Sequence, residues 1–260
     1  MNRIILCEGY DDAVFLGYYL YKITDRKYQY NSKRTEVSEN LHLPKCKARN
    51  ERREIYEYNN DCVLIWAVGG KDSYEKAITY ISKISKDFPD ERFTDIFIVT
   101  DRDNSDIDTS LIQFSELFIK NGIDIELKNN NINTYEYYTE DSISYDIHII
   151  PIVIPFEEQG AIETVLLNSL SEKKEEAIIV DEAKKYVYNI ENNSEVTSYL
   201  RHDREKVKAR FSAAMSVINP DHSTGTMNTI LISQEWENTE EIKKHFVLIK
   251  DIFQKSIVRS

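Results

Sequence analysis

A chain of 260 residues with 41% hydrophobic residues can bury a sizeable core, either as one large α/β domain or as a core domain with a smaller appendage. Its net charge of -12, from 33 basic and 45 acidic residues, argues against a general basic nucleic-acid binder, so any nucleic-acid contact must be local. No apolar run approaches the roughly 20 residues that span a bilayer, and the N-terminus leads directly into a strand. We therefore expect a soluble, cytoplasmic protein without membrane contact.

The three cysteines do not predict a zinc site. Cys7, Cys46 and Cys62 are widely spaced, and no Cys-x-x-Cys pair or histidine at zinc-ligand spacing accompanies them. Cys7 and Cys62 lie inside apolar runs, which favours a role as small core residues.

The first apolar run, residues 4–7, predicts a buried strand that ends in Glu8 and Gly9. Gly9 allows the backbone to approach a ligand closely because it has no Cβ atom. A helix is expected to follow through residues 13–20, with Asp12 about one turn from Glu8 and able to face it. The alternative is that Asp11 and Asp12 only cap this helix and that Glu8 is a solvated loop residue.

Residues 24–60 interrupt the pattern and read as an insertion. The segment is polar and rich in tyrosine, and it carries nine Lys and Arg residues against six Asp and Glu residues. This local positive excess makes Arg49, Arg52 and Arg53 candidates for binding a nucleic-acid substrate.

A second buried strand is predicted at residues 62–68, followed by Gly69, Gly70, Lys71 and a helix over about 73–87. The glycine pair could form a phosphate-binding loop, but it lacks the Walker spacing. A tight turn from strand to helix is the favoured interpretation, with Lys71 as a possible phosphate contact.

The third predicted strand, residues 95–100, ends in Asp101, Arg102 and Asp103, and a helix follows over about 108–121. In an extended backbone both aspartates reach the same side, while Arg102 points away. Arg102 could pair with these acids or contact a substrate phosphate. The alternative for the aspartate pair is an ordinary solvated turn.

Three successive strand and helix pairs predict a parallel sheet with right-handed crossovers. If the first and third strands are neighbours, carboxylates from both strand ends converge at the edge where open α/β folds bind ligands. Like charges so close together repel strongly unless a divalent cation neutralises them, and oxygen ligands favour Mg²⁺ or Mn²⁺. The expected ligands are Glu8, Asp12, Asp101 and Asp103.

The remaining sequence predicts a fourth strand and then helices. Residues 123–147 favour a hairpin or irregular edge, and residues 148–155 favour a strand at a sheet edge because Pro151 cannot donate to a ladder. Helices are expected over 160–170, 172–190, 203–216 and 239–256.

At this point the residues resemble a known family, the TOPRIM domain of topoisomerases, bacterial primases, small ribonucleases and overcoming-lysogenization-defect (OLD) nucleases. Its pattern is a strand ending in Glu-Gly, an aspartate shortly after, and a downstream strand ending in Asp-x-Asp. Glu8, Gly9 and Asp12 fit the first part, and Asp101 and Asp103 fit the second. The match covers about residues 1–155 and looks closest to the free-standing OLD-type branch.

The resemblance implies further site residues in the helical region. Glu163 resembles a downstream glutamate that joins the metal site, and Lys206 and Lys208 resemble a helical lysine that supplies positive charge. The alternatives are a surface glutamate and a solvated helix face.

The resemblance also implies a fold and a function. We expect a Rossmann-like TOPRIM core of about four mostly parallel strands in residues 1–158, and a helical region in residues 159–260 that completes the site or binds a partner. The implied activity is phosphodiester hydrolysis of DNA or RNA with two Mg²⁺ or Mn²⁺ ions about 4 Å apart. Glu8, Asp101 and Asp103 would be the catalytic acids.

The biological setting implied by the resemblance is that of an effector subunit in phage defence. An ATPase partner is expected, and a homodimer is possible. The alternative is a regulatory or binding subunit of an ATPase complex that does not cleave by itself.

Overall fold

The computed structural model describes residues 2–31, 46, 50–138, 144–222 and 225–259, which form two compact units. The first, here called the sheet unit, comprises Met1–Thr100, Asp106–Val153 and Leu248–Ser260. The second, here called the helical unit, comprises Asp101–Ser105 and Ile154–Val247. The limits between the units fall after residues 100, 105, 153 and 247, whereas the predicted boundary lies between residues 158 and 159.

The sheet unit is built on one mixed sheet. Its strands are β1 Asn2–Cys7, β2 Gln29–Tyr30, β3 Arg52–Tyr58, β4 Asp61–Ala67, β5 Phe93–Asp101, β6 Asn133–Tyr138 and β7 Ser144–Ile154. They lie in the order β2-β3-β4-β1-β5-β7-β6. The pairs β4–β1 and β1–β5 are parallel, whereas β2–β3, β3–β4 and β6–β7 are antiparallel. The predicted α/β class with a parallel centre is confirmed, but the predicted number of about four strands is too low.

Strand β1 lies in the middle of the sheet and is buried on both faces. Residues 4–7 have no exposed surface, as expected for a continuous apolar run. Leu6 lies beside Trp66 of β4 and beside Ile98 of β5. The two strands whose ends carry the predicted acidic clusters, β1 and β5, are therefore direct neighbours.

Helices follow the three parallel strands β1, β4 and β5. They are α1 Tyr10–Ile23, α2 Tyr74–Asp87 and α3 Ile107–Lys120. In α2 the buried residues include Ala77, Ile78, Ile81 and Ile84, which are the positions that the helical pattern predicts. The predicted series of strand and helix pairs is confirmed.

Residues 24–60 are less separate from the core than the predicted insertion suggests. Their described part supplies β2 and β3, and β3 pairs with the whole of β4, from Arg52 opposite Ala67 to Tyr58 opposite Asp61. Helix α1 packs so closely on this strand that a Cβ atom at Gly17 would overlap the hydroxyl group of Tyr56. The segment thus extends the sheet.

The edge position predicted for residues 148–155 is wrong, because β7 lies between β5 and β6. Pairing of β6 with β7 ends at Asn133 and Ile149, so Pro151 lies beyond the first residue of β6. The Pro151 carbonyl instead accepts a hydrogen bond of 2.8 Å from the backbone of Asn130 in the preceding loop. On the β6 side, no strand residue lies opposite Pro151 that would need the N–H group that proline lacks.

The helical unit contains α4 Ile162–Leu170, α5 Lys174–Glu191, α6 Asp203–Ile218, α7 Met227–Ile232 and the first part of α8 Glu240–Arg259. The predicted helices at 160–170, 172–190, 203–216 and 239–256 are confirmed, whereas α7 is short and was not predicted. Phe246 interrupts α8 with a φ of -116° and a ψ of 18°. Among the helices in the described part of the chain, none combines the length and apolar character needed to cross a membrane.

A buried arginine links distant parts of the sheet unit. The side chain of Arg3, only 4% exposed, lies 2.9 Å from Asp95 and 3.0 Å from Asp61. Arg3 also donates a hydrogen bond of 2.6 Å to Ser256 in the last turns of α8. Since a buried charge is costly unless it is paired, these contacts anchor α8 to the sheet.

His148 extends this network and predicts a pH-dependent contribution to stability. Its Nδ1 atom lies 2.9 Å from Asp95 Oδ1, and this hydrogen bond raises the pKa of His148. A raised folded-state pKa gives stabilisation that is fully present below the unfolded-state pKa of about 6.5 and is lost as the pH rises through the folded-state pKa. The stability advantage of wild type over His148→Gln should therefore shrink as the pH rises above about 6.5.

Chemical denaturation across this pH range measures the effect. The exposed His222 provides a control variant, His222→Gln, whose pH profile should match wild type. A stability difference between wild type and His148→Gln that is constant with pH would contradict the assignment.

Candidate metal centre

Glu8 follows β1 and is held by contacts within the sheet unit. Its Oε1 atom accepts a hydrogen bond of 2.6 Å from the Thr100 hydroxyl, and Lys71 Nζ lies 3.8 Å away. The Glu8 carbonyl accepts backbone hydrogen bonds of 3.0 Å from both Gly69 and Gly70. The glycine loop after β4 therefore folds against Glu8, and positive φ angles of 91° and 124° explain the need for glycine there. Lys71 contacts a predicted site acid.

Asp12 has a helix-capping contact. Its Oδ2 atom accepts a hydrogen bond of 2.8 Å from the backbone N–H of Gly9, at the start of α1. This is the contact that the capping alternative anticipates for an acid in the first turn. A metal-binding role for Asp12 stays a prediction beside this observed role.

Tyr74 is the first residue of α2 and was not predicted as a site residue. Its hydroxyl donates a hydrogen bond of 2.7 Å to the carbonyl of Val99. Burial, followed by the negative charge of Glu8, raises the pKa of Tyr74 well above its usual value. Tyr74 is therefore a neutral, structural donor that supports the end of β5.

Asp101 is the last residue of β5, and its contacts lie in the helical unit. Its Oδ1 atom accepts a hydrogen bond of 2.9 Å from the backbone N–H of Ile162, the first residue of α4. A carboxylate at a helix N-terminus is favoured by the helix dipole. This contact fixes one oxygen of Asp101.

Asp103 does not continue the strand, so the predicted extended alternation of Asp101 and Asp103 is wrong. Asp103 has a left-handed backbone with a φ of 50°. It forms reciprocal backbone hydrogen bonds with Gly160, of 2.7 and 3.0 Å. Gly160 has a φ of 149°, and a Cβ atom there would overlap Thr164. This paired turn, and not a strand, positions Asp103.

Glu163 is buried and paired, which the surface alternative does not anticipate. Its side chain, in the first turn of α4, is only 6% exposed, and Lys208 Nζ lies 3.0 Å from its Oε1 atom. Lys208 itself lies on α6 and is partly exposed. The structure thus brings together two of the residues that the resemblance implies, Glu163 and Lys208.

Lys206 points to other partners. Its ammonium group lies 2.7 Å from Glu191 and 3.1 Å from Asp203. Its neighbour in sequence, Lys208, contacts Glu163, so the two lysines have separate surroundings in the helical unit. Of the two lysines that the resemblance offers as the source of positive charge, Lys208 is therefore the one beside Glu163.

Arg102 has backbone partners in the helical unit. Its guanidinium donates hydrogen bonds of 2.9 Å to the Ser105 carbonyl and 3.4 Å to the Phe156 carbonyl. These contacts brace the loop that carries Asp101 and Asp103. They give Arg102 a structural role, and its contact with a substrate phosphate stays a prediction.

Of the two arginines of the predicted cluster that the structure describes, Arg52 and Arg53, only Arg52 is exposed. Arg53 is 6% exposed, lies 3.4 Å from Glu51 and stacks 4.1 Å from the Trp66 ring centroid. Its assignment to substrate binding is corrected, because its guanidinium is buried among protein groups. Arg52 is 44% exposed but lies 2.8 Å from Glu54. Arg49 lies outside the described residues.

A second group of potential metal ligands, none of which sequence reasoning assigned, lies in the helical unit. Carboxylate oxygens of Glu157 and Glu241 lie close to a ring nitrogen of His245. His245 Nε2 accepts a hydrogen bond of 3.1 Å from Phe156, which leaves Nδ1–H to donate to the Glu241 carbonyl at 2.8 Å. Lys244 lies 2.8 and 2.7 Å from the two carboxylates. Protein contacts thus account for this group without a metal.

The most informative missed residue is Thr100. The strand register pairs Leu6 with Ile98, and just beyond this pair the Thr100 hydroxyl donates to Glu8. Thr100 directly follows the apolar run of residues 96–99, which was the available sequence signal. Recognising its role required knowledge that β1 and β5 are neighbours.

Comparisons with known proteins identify a family and a distant structural relative. The family described as "Protein of unknown function (DUF3226)" matches residues 2–254, and this range includes parts of both units. No curated protein matches the chain. Among solved structures, the crystal structure of a hypothetical protein from Pyrococcus horikoshii OT3 is 16% identical, with a TM-score of 0.45 over 89% of this chain and 94% of that one.

The pairing of Glu163 with Lys208 predicts a measurable coupling energy. Lys208→Met should lower the free energy of unfolding by about 1–3 kcal/mol, because it leaves a buried carboxylate without its cation while solvent screens part of the loss. The double variant Glu163→Gln/Lys208→Met should recover part of that loss. Urea denaturation in chelator measures both effects, and strictly additive single-variant effects would contradict the coupling.

Proposed function

The chain belongs to the DUF3226 family, and we propose that it is a divalent-metal-dependent nuclease with a TOPRIM-type core, which hydrolyses phosphodiester bonds of DNA or RNA. The observation that supports this most directly is the parallel pairing of β1 with β5. Glu8 follows β1, and Asp101 ends β5. Ligands of open α/β sheets bind at the carboxyl ends of such strands.

The chemistry of the donor set fits a hard cation. Glu8, Asp101, Asp103 and Glu163 offer carboxylate oxygens, which are the ligands that Mg²⁺ and Mn²⁺ prefer. Two of these acids have a lysine ammonium group nearby: Lys71 lies 3.8 Å from Glu8, and Lys208 lies 3.0 Å from Glu163. A nearby positive charge favours the charged form of a partly buried carboxylate.

The protein's own groups would hold and orient the ligands. The Thr100 hydroxyl fixes one oxygen of Glu8, and the Ile162 N–H fixes one oxygen of Asp101. Fixed outer partners of this kind orient metal ligands. A bound divalent cation supplies two things: a water ligand of lowered pKa and compensation of phosphate charge.

Lys208 is the proposed source of a further positive charge. Its ammonium lies beside Glu163, on a helix, and is 39% exposed. In the proposed mechanism it donates a hydrogen bond to a phosphate oxygen, which stabilises charge that develops during hydrolysis. Lys206 is not assigned this role, because its partners are Glu191 and Asp203.

A role in phage defence and an ATPase partner stay predictions from the resemblance. A regulatory subunit that binds nucleic acid without cutting it is the rival function. The two functions differ in one outcome, which is cleavage by the purified protein.

The decisive assay incubates the full chain with DNA and RNA substrates in the presence of Mg²⁺, Mn²⁺ or chelator. We predict cleavage with a divalent ion and none with chelator. Asp101→Asn should reduce the rate by more than about 100-fold, since loss of outer partners of metal ligands already costs about 10–100-fold. Thermal unfolding should show that this variant remains folded.

A matched control is Asp181→Asn, which removes an exposed carboxylate from α5. It should cleave at the wild-type rate. Cleavage by Asp101→Asn at that rate, or cleavage by wild type in chelator, would refute the proposed function.

A further inference from the structure

The helical unit contains an open cleft of about 450 Å³, a size typical of small ligand sites. Its walls come from the start of α6, the end of α5 and the turn that carries Asp103 and Gly160. Asp103 belongs to the proposed metal centre, so the cleft opens directly beside a residue of that site.

Three basic side chains of α6, Arg204, Lys206 and Arg210, line this cleft. Lys206 and Arg210 are one helical turn apart on the same side of α6, and both lie near Glu191. Arg204 projects from a different side of the helix but also lines the cleft. Three cationic groups at one cleft suit a ligand with more than one negative charge.

Acidic side chains form ion pairs with two of these basic side chains. Glu191 lies 2.7 Å from Lys206 and 3.6 Å from Arg210. Asp203 lies 3.1 Å from Lys206 and accepts a hydrogen bond of 2.7 Å from Asn104. These ion pairs are partly exposed and therefore weak enough for an incoming anion to compete with them.

The backbone adds positive potential to the same cleft. Ala161, which immediately precedes α4, lines its wall, and so do the first residues of α6. Both helix N-termini present the positive end of a helix dipole. The cleft wall carries as many acidic side chains, Asp103, Glu191 and Asp203, as basic ones, so the helix N-termini supply the excess of positive potential that favours an anionic ligand.

We propose that this cleft binds the phosphodiester backbone of a nucleic-acid strand beside Asp103, an inference that rests on the proposed nuclease function. Among the described residues, no aromatic side chain lines the cleft, so base stacking contributes little there. Contacts to phosphates fix the position of a strand without reading its sequence. In this proposal Glu191 pairs with Lys206 and Arg210 in the free protein, and phosphate groups of the nucleic acid take its place on binding.

The test measures binding of fluorescein-labelled single-stranded DNA and RNA by anisotropy, in chelator, where the proposed cleavage cannot occur. Arg210→Gln should weaken binding about 5-fold, the value of a partly exposed charge contact. It should also reduce the slope of log affinity against log salt by about 0.7, as expected for one phosphate contact to a single strand.

Glu191→Gln should act in the opposite direction and strengthen binding about 5-fold, because it releases Lys206 and Arg210 from a competing carboxylate. A gain in affinity cannot arise from misfolding. Lys185→Gln and Glu182→Gln are matched controls, since these residues form an exposed ion pair of 2.8 Å elsewhere on α5. Both controls should bind like wild type.

Inorganic phosphate and a mononucleotide serve as competitors and should displace the oligonucleotide only at much higher concentration. Equal competition by the mononucleotide would overturn the assignment to a strand. Oligonucleotide binding that is the same in wild type, Arg210→Gln and Glu191→Gln would overturn the cleft as a binding site. These binding measurements use chelator, so they can succeed even if the protein proves not to cleave nucleic acid. If the protein cleaves but the variants bind like wild type, only the cleft assignment is refuted.

Discussion

Parallel pairing of β1 with both β4 and β5 is the interaction on which the sheet unit and the candidate metal centre depend. Burial of residues 4–7 on both faces removes a large apolar surface from water and fixes which strands are neighbours. Just beyond the paired residues, Glu8 accepts a hydrogen bond from Thr100, one residue before Asp101. Two acids that are more than ninety positions apart in sequence are thereby assigned to neighbouring strand ends.

The protein balances its acidic composition by placing basic groups beside buried carboxylates. Arg3 with Asp95 in the sheet unit and Lys208 with Glu163 in the helical unit are examples. Arg53 is used in the same way and stacks on Trp66. Much of the positive charge in the described chain therefore stabilises the fold, so a substrate path must rely on groups such as Arg210 that keep an exposed surface.

The sequence was sufficient to predict the parallel centre, because uninterrupted apolar runs and helical periodicity are local signals. It could not predict that β3 pairs with β4, or that β7 is interior, since both depend on contacts between distant segments. The site divides in the same way. Glu163 was found through a motif, but Thr100 required the register, and Asp103 required a left-handed turn that only its pairing with Gly160 explains.

The central claim is that the acids at the ends of β1 and β5 bind a divalent cation. The most direct measurement is a crystal structure of the protein with Mn²⁺, in which anomalous scattering locates the ion. We predict manganese peaks in contact with carboxylate oxygens of Glu8 and Asp101. Peaks confined to the group formed by Glu157 and Glu241, or no peak at saturating Mn²⁺, would contradict the account.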